Sequence, residues 1–189
     1  MKKILVALAV ALVLPAAAWA NSFSYIALMN GANENPAVPT AGTGTAIVTY
    51  DNVAHTLSYN VSFTGLTGLT TAAHIHCCAA PPTNVGVATT TPSFPGFPLN
   101  VTAGVFNNTF NLTLAGSWNP AFVTAQGSIA NAEAAMAAAL AAGQAYFNIH
   151  TTFRTGGEIR GYFAVPEPSA AWLVGPALGL LALRRRSAR

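Results

Sequence analysis

His74-Ile75-His76 sets two imidazoles two residues apart, and His150 supplies a third. In an extended strand, residues two apart project to the same face. His74 and His76 therefore point together while Ile75 points the other way. Three neutral imidazoles on one surface are a ligand set for copper or zinc. Asn148, Glu158 and Arg160 alternate on the segments that carry and follow His150. If these segments are neighbours, the polar set His74, His76, Asn148, His150, Glu158 and Arg160 converges. Two chemistries are open to it. One is metal ligation by His74, His76 and His150. The other is a hydrogen-bonded network fastening the last hairpin to the histidine strand, with Glu158 and Arg160 paired or facing solvent. Cys77-Cys78 follows His76 directly. Free thiols do not persist easily in an oxidising compartment, so the pair reads as a disulfide between neighbours. Intermolecular disulfides and thiolate help at a metal are the alternatives.

The elements that must position these residues are strands. Period-two alternation of apolar and polar residues runs through Ser22 to Met29, Thr43 to Tyr50, Thr56 to Phe63, Ala72 to Cys77 and Phe106 to Leu114. Asp51-Asn52 is turn chemistry and predicts a hairpin between the second and third of these. Ala145 to Thr151 and Glu158 to Ala164 form another hairpin across a loop containing Gly156-Gly157. The proline- and threonine-rich stretch from Ala79 to Pro98 reads as a long surface loop. One short Ala-rich helix is expected from Asn131 to Ala142, with Asn131 as N-cap, Glu133 in the first turn offsetting the helix dipole, and Gly143 ending it. The expectation is an all-β domain, a β-sandwich of immunoglobulin-like or superoxide-dismutase-like type.

Three motifs carry a resemblance. They are Gly31-Ala32-Asn33-Glu34-Asn35-Pro36, then Thr71-Ala72-Ala73-His74-Ile75-His76, then Gly143 to Thr151 followed by Gly156-Gly157-Glu158-Ile159-Arg160-Gly161. In this order and spacing they resemble the CHRD domain, first described in chordin, and the resemblance implies a β-sandwich over nearly the whole region between the ends. The order of His-x-His, a later His, a Gly-rich turn and an Arg is also similar to copper/zinc superoxide dismutases. That similarity implies copper ligation by His74, His76 and His150, with Arg160 guiding an anion. Unlike those enzymes, the chain has no histidine between His76 and His150 to bridge two metals, and His55 precedes the pair.

Both ends read as addresses. Met1-Lys2-Lys3 is a cationic start, Ile4 to Leu14 an apolar run too short to span a bilayer, and Ala18-Trp19-Ala20 a small-x-small cleavage pattern. Residues 1–20 are thus expected to be a signal peptide cut by signal peptidase after Ala20. Pro166-Glu167-Pro168, the uncharged run Ala170 to Leu183 and Arg184-Arg185-Arg186 resemble the PEP-CTERM sorting signal. The resemblance implies a hydrophobic C-terminal helix inserted transiently in the inner membrane, then recognised and removed by an exosortase. It implies a Gram-negative producer of extracellular polysaccharide and delivery to the cell surface or beyond. The division is then 1–20 signal peptide, 21–165 β-domain and 166–189 sorting tail.

The net charge of +3 belongs to the ends. Between Asn21 and Val165 the cations are Arg154 and Arg160, against Glu34, Asp51, Glu133 and Glu158, so the domain itself carries −2. No basic face remains for a phosphate backbone, which excludes nucleic acid. There is no Gly-x-Ser-x-Gly and no phosphate-cradling loop, and the four carboxylates fall on different elements, so no catalytic constellation is legible. The leading expectation is an exported, non-enzymatic structural or binding module in the extracellular matrix, acting on polysaccharide or a matrix protein. The competing one is a copper-binding redox protein.

Overall fold

The computed structural model describes residues 22–165. The cleavage residues Ala18 and Ala20, and the whole tail from Pro166 through Arg184, Arg185 and Arg186, lie outside the described residues. Among the described residues no helix is long and apolar enough to cross a membrane.

The domain is mostly β. Its strands are β1 (Ser22–Asn30), β2 (Thr43–Asp51), β3 (Thr56–Thr64), β4 (Thr70–Cys77), β5 (Gly104–Asn111), β6 (Ala145–Thr151) and β7 (Ile159–Tyr162). They form one antiparallel sheet in the order β4-β6-β7-β1-β2-β3-β5. Alternation in the sequence becomes alternation of burial: Leu57, Tyr59, Val61 and Phe63 of β3 face inward, as do Tyr25, Ala27 and Met29 of β1. The β2–β3 hairpin turns where Asp51 Oδ1 accepts from the amides of Val53 and Ala54 at 2.9 and 2.8 Å, the Asx device its sequence signalled.

The sheet curls until its two ends meet across the core, as the faces of a sandwich do. Phe94, from the long loop between β4 and β5, is the wedge between them. Its ring lies 5.7 Å from Phe147 on β6, 5.7 Å from Phe106 on β5 and 4.8 Å from Tyr59 on β3. The same loop covers the free edge of β4, where Ala88 and Phe94 amides donate to the carbonyls of Ile75 and Ala73. An uncovered edge would invite pairing with another chain. Beside it, β6 is buried on both faces: Phe147 and Ile149 face the core, while Tyr146 and Asn148 are covered by loops.

Among the described residues two α-helices are present where one was expected. In α1 (Pro120–Gln126), Asn119 caps the amide of Ala121, Pro120 opens the helix and Gly127 closes it at φ 86°, so start and stop signals were in the sequence. The second, α2 (Ile129–Ala141), begins earlier than expected. Ser128 is its N-cap, accepting from the Asn131 amide, while the Asn131 side chain donates to the Gln126 carbonyl. Glu133 is consequently beyond the first turn. It is buried on the face shared with Ala132, Met136, Ala139 and Leu140, and accepts from the Tyr50 hydroxyl and the His55 ring.

Candidate metal centre

Strand pairing brings the three histidines together. His74 and His76 lie on β4, His150 lies on β6, and β4 and β6 are bonded neighbours with Ala72 opposite His150 and His74 opposite Asn148. The rings form a triangle with centroid separations of 5.1 Å (His74–His150), 5.9 Å (His74–His76) and 5.8 Å (His76–His150). One nitrogen from each ring lies within 4.8 Å of the others.

The loops over this face fix the tautomers. His74 Nε2 lies 2.7 Å from the Pro92 carbonyl, His76 Nδ1 2.8 Å from that of Val85, and His150 Nδ1 2.8 Å from that of Thr155. A carbonyl only accepts, so each of these nitrogens carries the proton and donates. The opposite nitrogens, His74 Nδ1, His76 Nε2 and His150 Nε2, are shielded from solvent and make no hydrogen bond. They are bare lone pairs, because burial pushes the imidazolium form down in all three rings, to about 4 for His74 and for His76. The carbonyl partners pull the other way and are outweighed, and His150 adds to the lowering at both strand histidines.

Three acceptors with no donor among them are not a hydrogen-bonded network. A water molecule brings two donors to three lone pairs, whereas one cation serves all three. Outer nitrogens anchored on carbonyls and inner nitrogens converging is the arrangement that orients imidazoles for a metal. Each unmet buried acceptor otherwise costs on the order of 1–3 kcal/mol.

Residues 25–163 match the CHRD domain family. The chain belongs to that family. No curated protein and no solved structure matches it. Cys77 and Cys78, at the exit of β4 in this CHRD domain, are joined by a disulfide, a bond that persists in an oxidising compartment.

Asn148, opposite His74 on β6, lies beside the histidines, but Glu158 and Arg160 of the CHRD domain's last hairpin do not join them and do not pair with one another. Glu158 is fully buried. It accepts from the Thr40 hydroxyl and the Thr67 amide on one oxygen, and from the Gly68 amide and the Thr151 hydroxyl on the other. Burial works to raise its pKa, but these four donors together hold it below the usual carboxylate range. Alternation was expected to align Glu158 with Arg160. The strand β7 begins only at Ile159, so Glu158 lies outside it and the alternation does not extend to it.

Arg160 is buried as well. Its guanidinium donates to the carbonyls of Asn33 and Pro82 and to Asn84 Oδ1, and lies over the rings of Tyr146 at 4.8 Å and Tyr162 at 5.6 Å. An anion-guiding arginine needs a free, solvent-facing head; this one is engaged on every side. Its ion-pair partner is Glu34, at 3.7 Å, which sequence reasoning placed only within the opening motif. Burial raises Glu34 to about 7 against the pull of Arg160. Glu34 Oε1 and Asn148 Oδ1 lie against Gly157, where a Cβ would come within 2.8 and 2.5 Å of them. Only glycine fits there.

Proposed function

We propose that this CHRD domain is a non-enzymatic, exported metal-binding module that holds one transition-metal ion, of the copper or zinc class, on His74 Nδ1, His76 Nε2 and His150 Nε2. The observation that carries the reading is the convergence of three buried, unpartnered lone pairs, each set by a backbone carbonyl behind it. Shielding of these atoms favours holding an ion over turning over a substrate, and the engaged head of Arg160 speaks against the dismutase-like alternative. His150 is the least buried of the three, so the exposed 152–156 loop marks the side from which an ion would arrive. The test is elemental analysis of the purified exported protein after loading with zinc, cupric or, under argon, cuprous salts, and dialysis. One ion per chain is expected, lost in His76→Ala; no stoichiometric ion, or undiminished loading of the variant, ends the reading.

For delivery, the proposal is export by the signal peptide, transient anchoring by the tail, and release of that tail by an exosortase, leaving the domain at the cell surface or among matrix polysaccharide and protein. The intact mass of the secreted form tests this. It should begin at Asn21 and lack Ala170 to Arg189, and a mass retaining those residues would overturn tail removal.

A further inference from the structure

Granted the metal-binding reading above, we infer that the site is built for monovalent copper rather than for a divalent ion. The first ground is charge. The set is three neutral imidazoles, with no carboxylate and no thiolate. Cys77 is packed into the core on the opposite face and bonded to Cys78. The four carboxylates of the described domain are all committed elsewhere: Glu158 to its four donors, Glu133 to Tyr50 and His55, Asp51 to its turn amides, and Glu34 to Arg160. The full charge of the ion is therefore left uncompensated in a shielded site. The cost of burying charge grows as its square, so a divalent ion meets roughly four times the desolvation penalty of a monovalent one.

The second ground is a positive charge one aromatic ring away. The Tyr146 ring stacks on His76 at 4.8 Å, nearly parallel, and Arg160 sits on that same ring at 4.8 Å. A guanidinium one aromatic ring away raises the energy of any cation at the site, and does so twice over for a divalent ion. The third ground is ligand number. Zinc takes four ligands and cupric copper a tetragonal set. The three nitrogens are shielded from solvent, and the other buried unpartnered atom on that stretch of β6, Asn148 Oδ1, is a neutral hard oxygen that suits a soft monovalent ion least. A three-coordinate ion of low charge satisfies all three conditions.

The experiment is a pair of competition titrations on the purified exported protein. One uses Cu(I) under argon against a chromophoric cuprous chelator, and the other uses Cu(II) and Zn(II) in separate arms against a divalent chelator. Cu(I) should bind at one per chain and roughly a hundredfold or more tighter than either divalent ion. His150→Asp, which adds a carboxylate at the least buried ligand, should narrow that preference by roughly tenfold or more. Equal or tighter binding of Cu(II) or Zn(II) by the unaltered protein overturns this inference and leaves the metal site standing. Failure to bind any of the three ions overturns both. Because the decisive comparison is made on the unaltered protein, it does not depend on the variant folding.

Discussion

Adjacent residues on β6 feed two buried clusters of opposite construction. His150 turns outward to the histidine triangle, and Thr151 turns inward to Glu158. Around Glu158 four donors meet one carboxylate, so every strong demand is answered and nothing is left over to bind with. Around the histidines, which bring one nitrogen each to within 4.8 Å of the others, three lone pairs are left without a partner in the protein. Both clusters are polar and buried, so burial alone does not separate them. Satisfaction does: a polar group fully met within the fold is a fastening, and a set left unmet in concert is a site.

The largest test of that contrast is Glu158→Gln. The amide presents its own donors to the Gly68 amide or the Thr151 hydroxyl and loses the charge that all four partners address. Urea denaturation should show a loss of about 3–5 kcal/mol, with the metal stoichiometry of the folded protein unchanged. A loss under about 1 kcal/mol would dissolve the distinction.

Glu34 offers the next effect, through pH. Its pKa is raised from 4.5 to about 7 on folding, so between those values the folded state binds more protons than the unfolded one. Its contribution is fully present below about 4.5 and is lost as pH rises through about 7, by on the order of 3 kcal/mol. The charged groups facing it are Arg160 at 3.7 Å and Arg154, which lines the same cavity of about 230 Å³ with Gly156 and Gly157. Glu34→Gln imitates the protonated form. The difference in unfolding free energy between the parent and this variant, measured at pH 5 and pH 8, isolates Glu34 from the histidines. The parent should lose ground at pH 8; a difference that is flat with pH would show that Glu34 is ionised throughout.

Ligand addition probes the unmet cluster directly. At a free-ion concentration a hundredfold above the dissociation constant, binding should stabilise the parent by about 2.7 kcal/mol and His76→Ala not at all. In the absence of metal the same variant should cost much less than Glu158→Gln, since it also removes an unmet acceptor. Thermal melts with and without copper read both. Stabilisation that survives in His76→Ala would place the ion elsewhere.

The legible part of this molecule was whatever depends on local pattern. Alternation located the strands to within a residue or two at most ends, and spacing put His74 and His76 on one face. Where β5 ends at Asn111 instead of reaching Leu114, the chain enters a turn secured by Asn111 Oδ1 accepting from Thr113, which outranks a weak apolar period. The early start of α2 had a similar cause: Ser128 and Asn131 are both cap residues, and only the α1–α2 turn decides between them. The parts that were not legible depend on chain-distant partners. The carbonyls of Val85, Pro92 and Thr155 that orient the imidazoles are backbone atoms and leave no residue signature. The ion pair of Arg160 with Glu34 likewise joins opposite ends of the domain.

The smallest effect concerns Glu133, a carboxylate between the two extremes. It is buried, but its partners are the Tyr50 hydroxyl at 2.8 Å and the half-exposed ring of His55 at 2.9 and 3.1 Å. Tyr50→Phe deletes one donor from Glu133 Oε1 while His55 remains on both oxygens. If stability follows how completely a buried group is met, this change should cost about 1 kcal/mol in urea denaturation. It should leave copper binding untouched, because Tyr50 and Glu133 lie outside the histidine face. A cost approaching that of Glu158→Gln would mean that burial of the carboxylate, and not the number and rigidity of its donors, sets the energy. The contrast between fastening and site would then rest on the metal titrations alone.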